Sequence, residues 1–263
     1  MKKVFRFEDN RVYWDRRWTE AGEDADRFLD LSIYPIKYAQ MVMTDRRART
    51  VELGCGLGRL VKHYHNAGFN ICGIERSRAA VERIRSTAPE LDVRAGDVTQ
   101  LPYHDHAFDV VLAFGLYHNL EHGLEQALKE TARCLRPGGR FCISMRPDNL
   151  EMHLNEWYWN RRQRHLSDQP RQFHKWLVGE REFAALLARV GLRTASVHCA
   201  RNVSLLYRVP FLRERHNGQT ETVRRARGYR LNRVGGALDR CLTAVLARQF
   251  CNVLVFIGTN EAA

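Results

Sequence analysis

The chain has 263 residues, of which 44% are hydrophobic and 27% are charged. These proportions are typical of globular domains and exclude a disordered, collagen-like or coiled-coil protein. No uncharged apolar run reaches the roughly 18 residues of a membrane span, and residues 1–11 lack the apolar centre of a signal peptide. We therefore expect a cytoplasmic protein without a transmembrane segment, whose seven scattered cysteines stay reduced.

The charge balance is strongly basic and uneven along the chain. The formal net charge is +12, and 36 of the 42 basic residues are arginine. Residues 201–248 hold eleven arginines and only three acids. A basic surface of this kind favours an anionic partner, such as nucleic acid, an acidic lipid surface or a phosphorylated small molecule.

The hydrophobic pattern first predicts a helix over residues 26–43, which Pro35 kinks or restarts. Short apolar strands then alternate with amphipathic helices. Strands are predicted at 50–53, 70–74, 91–94, 108–114 and 140–145, and helices at 57–67, 78–86 and 120–134. This alternation is typical of βαβ units and predicts an α/β fold with a Rossmann-like, doubly wound parallel sheet.

Two stretches interrupt the alternation after residue 147. The first is rich in aromatic residues and arginine, and the second is the basic segment. A helix at 180–190 and strands near 194–198 and 252–257 continue the core. We predict one domain over 1–263, with an N-terminal lid and helix (1–47), a core (48–147) and two helical cap insertions (148–178 and 200–248).

The loop after the first core strand is the most informative segment, Glu52-Leu53-Gly54-Cys55-Gly56-Leu57-Gly58-Arg59. Its glycines allow a tight turn and close approach to a ligand, and the first amides of the next helix face that ligand. The third glycine comes one residue too early for a dinucleotide fingerprint, and Glu52 would repel a pyrophosphate. The Gly-Lys-Ser/Thr of a Walker loop is absent. The loop therefore favours a ligand that carries an ammonium group.

This segment resembles motif I, Glu-x-Gly-x-Gly-x-Gly, of the class I S-adenosylmethionine (SAM)-dependent methyltransferases. Further segments similar to the family follow in order, namely Gly73-Ile74-Glu75, Gly96-Asp97-Val98, Phe108-Asp109-Val110-Val111 and Leu135-Arg136-Pro137-Gly138-Gly139. The resemblance covers residues 48–147, and more loosely 180–198 and 250–259. It implies a seven-stranded sheet, mostly parallel, with one antiparallel strand near the C-terminus.

The resemblance also implies a cofactor and its contacts. SAM would be the methyl donor, S-adenosylhomocysteine the product, and no metal would be needed. Glu75 would accept hydrogen bonds from the ribose hydroxyls and Asp97 from the adenine amine, while Val98 packs on the ring. The other implied cofactor residues are Glu52, Gly54, Cys55, Gly56, Gly58, Arg59, Arg76 and Phe114.

The N-terminal segment Tyr13-Trp14-Asp15-Arg16-Arg17-Trp18 is similar to the entrance of thiopurine-type and tellurite-type methyltransferases. The similarity implies that Trp14, and less directly Trp18, closes over the sulfonium through cation–π attraction. The alternative is that these rings only pack over the first helix. Arg11 or Arg59 is expected to pair with the carboxylate of the methionyl group.

The end of the fourth strand, residues 114–119, lies nearest the transferred methyl group in this family. It holds neither the Asn/Asp-Pro-Pro-Tyr motif nor a Pro-Cys pair nor an acid pair. His118, with Tyr117 beside it, is the candidate general base. The alternative is that His118 packs or caps the next helix.

The interleaved aromatic and arginine residues of the first insertion fit a planar or anionic acceptor. We expect methyl transfer to an oxygen or nitrogen atom of a small molecule or of a saccharide- or lipid-linked acceptor. A peripheral membrane contact is a further option, because the second insertion mixes apolar and basic groups. The alternatives are an RNA methyltransferase and a non-catalytic SAM-binding module.

Overall fold

The computed structural model describes residues 1–7, 12–14, 34–163, 170–200, 203–214 and 231–261. The described strands are β1 (Lys2–Arg6), β2 (Thr50–Leu53), β3 (Ile71–Glu75), β4 (Val93–Ala95), β5 (Phe108–Ala113), β6 (Leu135–Met145), β7 (Gln172–Leu177), β8 (Leu192–Ala200) and β9 (Val253–Asn260). The described helices are α1 (Ile36–Ala39), α2 (Arg59–Asn66), α3 (Arg78–Thr87), α4 (Leu124–Cys134), α5 (Leu150–Arg162), α6 (Glu180–Arg189) and α7 (Arg233–Phe250).

Seven strands form one sheet in the order β4-β3-β2-β5-β6-β9-β8. Strand β9 runs antiparallel to both of its neighbours, and the other pairings are parallel. The prediction of a mostly parallel sheet with one antiparallel strand near the C-terminus is confirmed. Parallel strands are covered on both faces, which explains why β2 and β5 are almost continuously buried.

Helices pack on both faces of this sheet and divide the core into two layers. Helices α4 and α6 contribute Leu128 and Phe183 to one buried cluster. Helices α1, α2 and α3 supply the other cluster, through residues such as Ile36, Leu60 and Ile84. The carboxyl ends of β2, β3, β4 and β5 therefore lie side by side at one edge of the sheet, where α/β proteins bind ligands.

Element boundaries differ from the prediction where a turn intervenes. Helix α1 begins at Ile36, directly after Pro35, so the proline restarts a helix; residues 26–33 of the predicted helix lie outside the described residues. Residues 117–119 form a separate 3₁₀ turn before α4. Strand β6 begins at Leu135 rather than at Arg140, because Leu135 pairs with Phe108 before the strand register shifts.

The two insertions contain more than helices. Strand β7 lies in the first insertion and pairs antiparallel with β1, and neither strand is evident from the sequence pattern. The basic segment contributes 3₁₀ turns at Ser204–Arg208 and Pro210–Leu212, followed by α7. We call β1, α5, β7 and residues 203–212 the cap.

None of the helices in the described part of the chain combines the length and apolarity needed to cross a bilayer. The cysteines are all free thiols, and four of them are buried in the core.

Candidate functional site

The loop between β2 and α2 is shaped by three glycines in the left-handed region of backbone space. Gly54, Gly56 and Gly58 have φ values of 68°, 57° and 68°, which side chains other than glycine rarely adopt. A Cβ atom on Gly54 would lie 2.9 Å from Leu116 Cδ1, in the loop after β5. The loops of the two neighbouring strands β2 and β5 thus approach each other closely, and the left-handed backbone of Gly54 favours glycine at this contact.

Cys55 lies within this loop but turns inward. Its side chain is buried, and a Cβ atom on Gly73 would lie 2.8 Å from its sulfur. Its N–H donates to Ile74 O (3.1 Å), and its carbonyl accepts from Gly58 N–H (2.9 Å). The Cys55 side chain therefore holds the loop in shape, and the expected contact of this residue with the cofactor stays a prediction.

Glu75 connects the loops that follow β2 and β3. Its Oε2 accepts from the N–H of Gly56 (2.8 Å), and its Oε1 accepts from the N–H of Ser77 (3.0 Å). The carboxylate is half-buried, so one side of it stays open to a ligand. Arg76 is exposed next to it, and Ser77 caps helix α3.

Glu52 is a buried acid behind the glycine loop. It is 5% exposed, and burial raises its pKa to about 8, an effect that Arg59 opposes and Glu75 adds to. A backbone hydrogen bond from Val61, in the first turn of α2, favours the ionised form. Its Oε2 is buried and has no hydrogen-bond partner in the described part of the chain. Arg59 itself is exposed at the first position of α2.

The tip of β4 continues the same edge. Asp97 is exposed, and its Oδ1 accepts from the N–H (2.9 Å) and the hydroxyl (2.7 Å) of Thr99, which closes a tight turn. Val98 is buried and belongs to the apolar cluster beneath the sheet. Gly96 N–H donates to the carbonyl of Glu75 (3.0 Å), so this turn is tied to the tip of β3.

The tip of β5 carries Phe114, which is half-buried and packs edge-on against Tyr34 at 5.5 Å between ring centres. Ser144 of β6 joins these groups, because its Oγ lies 3.0 Å from Tyr34 Oη and accepts from Gly115 N–H at 2.8 Å. A Cβ atom on Gly115 would meet nothing within 4 Å. The sequence did not single out Tyr34 or Ser144, and only the Tyr-Pro pair before α1 hinted at a special turn.

Tyr117 and His118 follow in the 3₁₀ turn. Tyr117 is fully buried, its hydroxyl lies 2.5 Å from Thr131 Oγ1, and burial raises its pKa. We therefore assign Tyr117 to the core and not to the chemistry. His118 is 6% exposed. The turn that holds it packs against β7. Directly after this turn, the carbonyl of Leu120 accepts a hydrogen bond from Trp176 Nε1 of β7 (2.7 Å).

Trp14 is half-buried and stacks edge-on with Tyr13 at 5.2 Å. Tyr13 in turn meets His174 of β7 at 6.5 Å, so the described N-terminal turn lies against the cap. The other two expected residues of this segment, Arg11 and Trp18, lie outside the described residues. Among the described residues, no three His, Cys, Asp or Glu side chains are grouped as a metal site.

These features fit a cofactor with an ammonium group and a ribose. The orphaned oxygen of Glu52 can accept from an ammonium group, and the open side of Glu75 can accept from hydroxyls. The glycine loop lets the backbone come close to both. Asp97 lies at the neighbouring strand tip, at the far end of the same edge.

Comparison with known proteins agrees with this geometry. Residues 51–143 match the family model described as methyltransferase domain. A stretch of 116 residues is 34% identical to phthiotriol/phenolphthiotriol dimycocerosates methyltransferase 1 of Mycobacterium ulcerans and covers 41% of each chain. A stretch of 138 residues is 30% identical to 27-O-demethylrifamycin SV methyltransferase of Amycolatopsis mediterranei and covers 50% of this chain and 48% of that one. The chain thus spans less than half the length of these relatives.

The fold extends the similarity beyond the matched segment. The crystal structure of a SAM-dependent methyltransferase from Archaeoglobus fulgidus superimposes with a TM-score of 0.58 at 15% identity, covering 96% of this chain and 100% of that one. At that identity the likeness concerns the fold alone.

Proposed function

We propose that this chain, whose core belongs to the class I SAM-dependent methyltransferases, transfers a methyl group to an oxygen or nitrogen atom of a small molecule or of a saccharide- or lipid-linked acceptor. When bound, SAM would supply a methyl group on a sulfonium, so that the acceptor atom could attack the methyl carbon in line while the C–S bond breaks and S-adenosylhomocysteine leaves. The single observation that carries the proposal is the buried Glu52 with an unpartnered oxygen beside the glycine loop and Glu75.

Each residue of this edge would then contact a different part of the cofactor. Glu52 accepts from the ammonium group, Glu75 from the ribose hydroxyls and Asp97 from the adenine amine. The backbone of Gly54, Gly56 and Gly58 borders the methionyl group, and Arg59 and Arg76 flank it as exposed cations. Phe114 and Val98 border the adenosine, while Trp14 covers the sulfonium. Residues 48–147 hold the cofactor, and residues 148–178 and 200–248 shape the acceptor pocket.

The alignment of donor and acceptor supplies most of the rate in such a displacement, because the positive charge disperses as the methyl group leaves. A hydroxyl acceptor also has to lose a proton. His118 is the candidate base, since its imidazole lies in the turn after β5 and beneath the cap. The acceptor would reach it between that turn and β7.

Calorimetry with SAM tests the cofactor site. Glu75→Gln removes the negative charge that receives the ribose hydroxyls, and we expect affinity to fall by about 10-fold to 100-fold. Glu82→Gln is the matched control, because Glu82 is exposed on α3 away from the edge. Equal affinity in Glu75→Gln and the unmodified chain would refute the site.

The candidate base has a separate test. His118→Asn keeps a polar side chain of similar size, and we expect the rate of methyl transfer to fall by about 10²-fold or more while SAM affinity stays within about twofold. A rate that is unchanged would assign His118 to packing and leave catalysis to alignment alone.

Transfer from methyl-labelled SAM into a lysate divided into RNA, lipid, protein and metabolite fractions tests the acceptor class. We expect label in the metabolite or lipid fraction, because matched relatives act on small-molecule or lipid substrates. The +8 charge of residues 201–248 favours RNA as the second candidate. Label in RNA, with binding that weakens steeply with salt, would support that alternative. Binding of SAM without label in any fraction would favour a non-catalytic module.

A contact with a membrane surface from the cytoplasmic side fits a lipid-linked acceptor. Helix α7 exposes 66% of Val234 and 75% of Val245, and Phe211 before it is 77% exposed. Exposed arginines such as Arg240 lie on the same helix. An apolar stripe beside basic groups is the pattern of helices that lie in the membrane interface.

A further inference from the structure

Two buried cations share one carboxylate at the centre of the cap. Arg6 Nη2 donates to both oxygens of Glu156, at 3.0 and 3.1 Å, and Lys175 Nζ lies 2.7 Å from Oε1 of the same group. These side chains are 17%, 11% and 10% exposed, respectively. Because one negative charge faces two positive charges, the trio is not neutral.

A third cation adds to this imbalance. Arg208 donates from Nη2 to the neutral amide oxygen of Asn155 (2.7 Å), and its guanidinium lies 4.7 Å from the ring centres of both Tyr158 and Trp159. Arg6 also lies 5.2 Å from the Trp159 ring. Both guanidinium groups thus contact the Trp159 ring. Burial lowers the pKa of Arg208, and the charge of Arg6 helps to lower it, as expected for a cation that is poorly compensated.

The surroundings do not restore the balance within the described residues. Glu151 is the second acid of the region and acts on Arg208. Burial, together with Arg6 and Lys175, lowers the pKa of His174 to about 3, so its ring is neutral. The three cations Arg6, Lys175 and Arg208 thus accompany two acids.

Two hydrogen-bond donors in this cluster are also unused. The Nε atoms of Arg6 and Arg208 are buried and have no acceptor in the described part of the chain. Burying a cation or a donor without a partner is costly. An anion with several oxygen atoms would satisfy both the charge and the donors, and guanidinium groups suit planar or tetrahedral oxyanions.

The cluster is connected to the candidate site through strand β7. Strand β7, which carries Lys175, packs against the turn that holds His118. Trp176 of that strand donates to Leu120 O in the segment after this turn, and Lys3 of β1 pairs with Glu121. The half-buried rings of Tyr158 and Trp159 offer an apolar surface beside the cations.

We propose that Arg6, Lys175 and Arg208 bind an oxyanion group, a phosphate or a carboxylate, of the methyl acceptor. This inference rests on the proposed function, because it assigns the specificity of the same acceptor pocket. The acceptor is therefore an anionic molecule, and the rings of Tyr158 and Trp159 pack against the part next to its charged group.

Binding of inorganic phosphate and pyrophosphate to the SAM-saturated protein tests the site without knowledge of the acceptor. We expect calorimetry at constant ionic strength to detect binding that Arg208→Ala weakens by at least about 10-fold. Arg94→Ala is the matched control. Arg94 is exposed on β4, an edge strand of the seven-stranded sheet outside the cap, and it pairs with Asp92 just before that strand. The inference is overturned if neither anion binds, or if Arg94→Ala weakens binding as much as Arg208→Ala.

The labelled product provides the second test. We expect it to bind an anion-exchange resin, and phosphatase treatment separates a phosphate from a carboxylate. Extraction into organic solvent separates a lipid-linked acceptor from a free metabolite. Arg208→Ala should raise KM for the acceptor by about 10-fold or more with SAM affinity unchanged, and Arg208→Lys should recover part of that loss.

The two levels of proposal fail in different ways. A neutral labelled product whose formation is indifferent to Arg208→Ala overturns the oxyanion site and leaves methyl transfer intact. If SAM binds but no fraction is labelled, the proposed function fails, and the phosphate titration alone decides whether the anion site exists.

Discussion

The cofactor edge and the cap are built on different principles. At the edge, the contact from Gly56 to Glu75 spans 19 residues, and the turns depend on the backbone of glycines. In the cap, the contact from Arg6 to Glu156 spans 150 residues and depends on buried charges. A site made of backbone turns is therefore determined locally, whereas a pocket made of ion pairs requires the whole chain to fold around it.

The two regions should therefore respond separately to substitution. Damage to the cap should change global stability and acceptor binding while the cofactor edge keeps its affinity for SAM. Damage to the glycine loop should weaken SAM binding and leave the ion pairs of the cap intact.

Glu156→Ala should cause the largest loss of stability. It leaves Arg6 and Lys175 buried without their shared carboxylate, which costs about 3–5 kcal/mol in the free energy of unfolding. Chemical denaturation measures this loss, and calorimetry at low temperature should find SAM affinity within about twofold of the unmodified chain.

The matched control is Glu121→Ala, which breaks the pair with Lys3 on the same two-stranded sheet. That pair is 3.4 Å long and about one third exposed, so its loss should cost less than about 1 kcal/mol. If both substitutions cost the same, the buried trio contributes no more than a surface pair. If Glu156→Ala also abolishes SAM binding in the folded protein, the two regions are not separate.

Gly54→Ala should damage the cofactor edge by a smaller amount. The new Cβ atom would lie 2.9 Å from Leu116 Cδ1 at a residue with φ of 68°. Strain in the left-handed conformation and overpacking together cost about 2–5 kcal/mol, and a loop that shifts to relieve them should bind SAM about 100-fold more weakly. Calorimetry measures the affinity.

Gly68→Ala separates conformational strain from steric contact. Gly68 has a φ of 80° but nothing within 4 Å of its Cβ position, and it lies after α2, outside the edge. It should lower stability by about 1–2 kcal/mol and leave SAM affinity unchanged. A similar loss of SAM affinity in both variants would mean that Gly54→Ala acts through the stability of the protein and not through the shape of the glycine loop.

The same contrast explains how much could be predicted from the sequence. The parallel part of the sheet and the glycine loop were predictable from short patterns, in which Glu52, Gly54 and Glu75 occupy strand ends, whereas the antiparallel strand was implied by the family resemblance. The roles of Cys55 and Tyr117 were harder to predict, since the side chain of a residue in or next to a motif can point toward the ligand or into the core. Their buried contacts are visible only in three dimensions.

The cap could not be predicted in the same way. Strand β1 has only five residues, and its partner β7 is about 170 positions away in the chain. The local hydrophobic pattern therefore does not predict that the two strands pair. The partners of Arg6 and Arg208 are likewise far away in sequence. Among many arginines, those that become buried cannot be distinguished by residue type alone.

Glu52→Gln tests the electrostatics of the cofactor edge through pH. Burial raises the pKa of Glu52 from 4.5 to about 8, so the folded chain binds an extra proton between these values. Stability due to this group is therefore fully present below pH 4.5 and is lost as the pH rises toward 8. The loss approaches about 1.4 kcal/mol per pH unit inside the window.

The amide of Glu52→Gln cannot ionise, so this part of the pH slope should vanish, and the variant should be the more stable protein near pH 8. Denaturation curves between pH 5 and pH 8.5 measure the difference between the two proteins. An identical slope in both proteins would mean that Glu52 is solvated and ionised. Glu52 would then not be a buried hydrogen-bond acceptor for the ammonium group of the cofactor.

Val245→Asp on α7 should have the smallest effect on stability and a clear effect on binding to anionic lipid vesicles. Because 75% of Val245 is exposed, the free energy of unfolding should change by no more than about 0.5 kcal/mol. Binding to vesicles that contain anionic lipid should weaken, since a carboxylate would enter the apolar interface. Sedimentation with phosphatidylglycerol vesicles measures the bound fraction. Met41→Asp is the control, because Met41 is 47% exposed but lies just after α1. Equal binding by all three proteins would mean that the exposed stripe of α7 serves some purpose other than holding the cap against a membrane, and the acceptor would then have to reach the cations of the cap from solution.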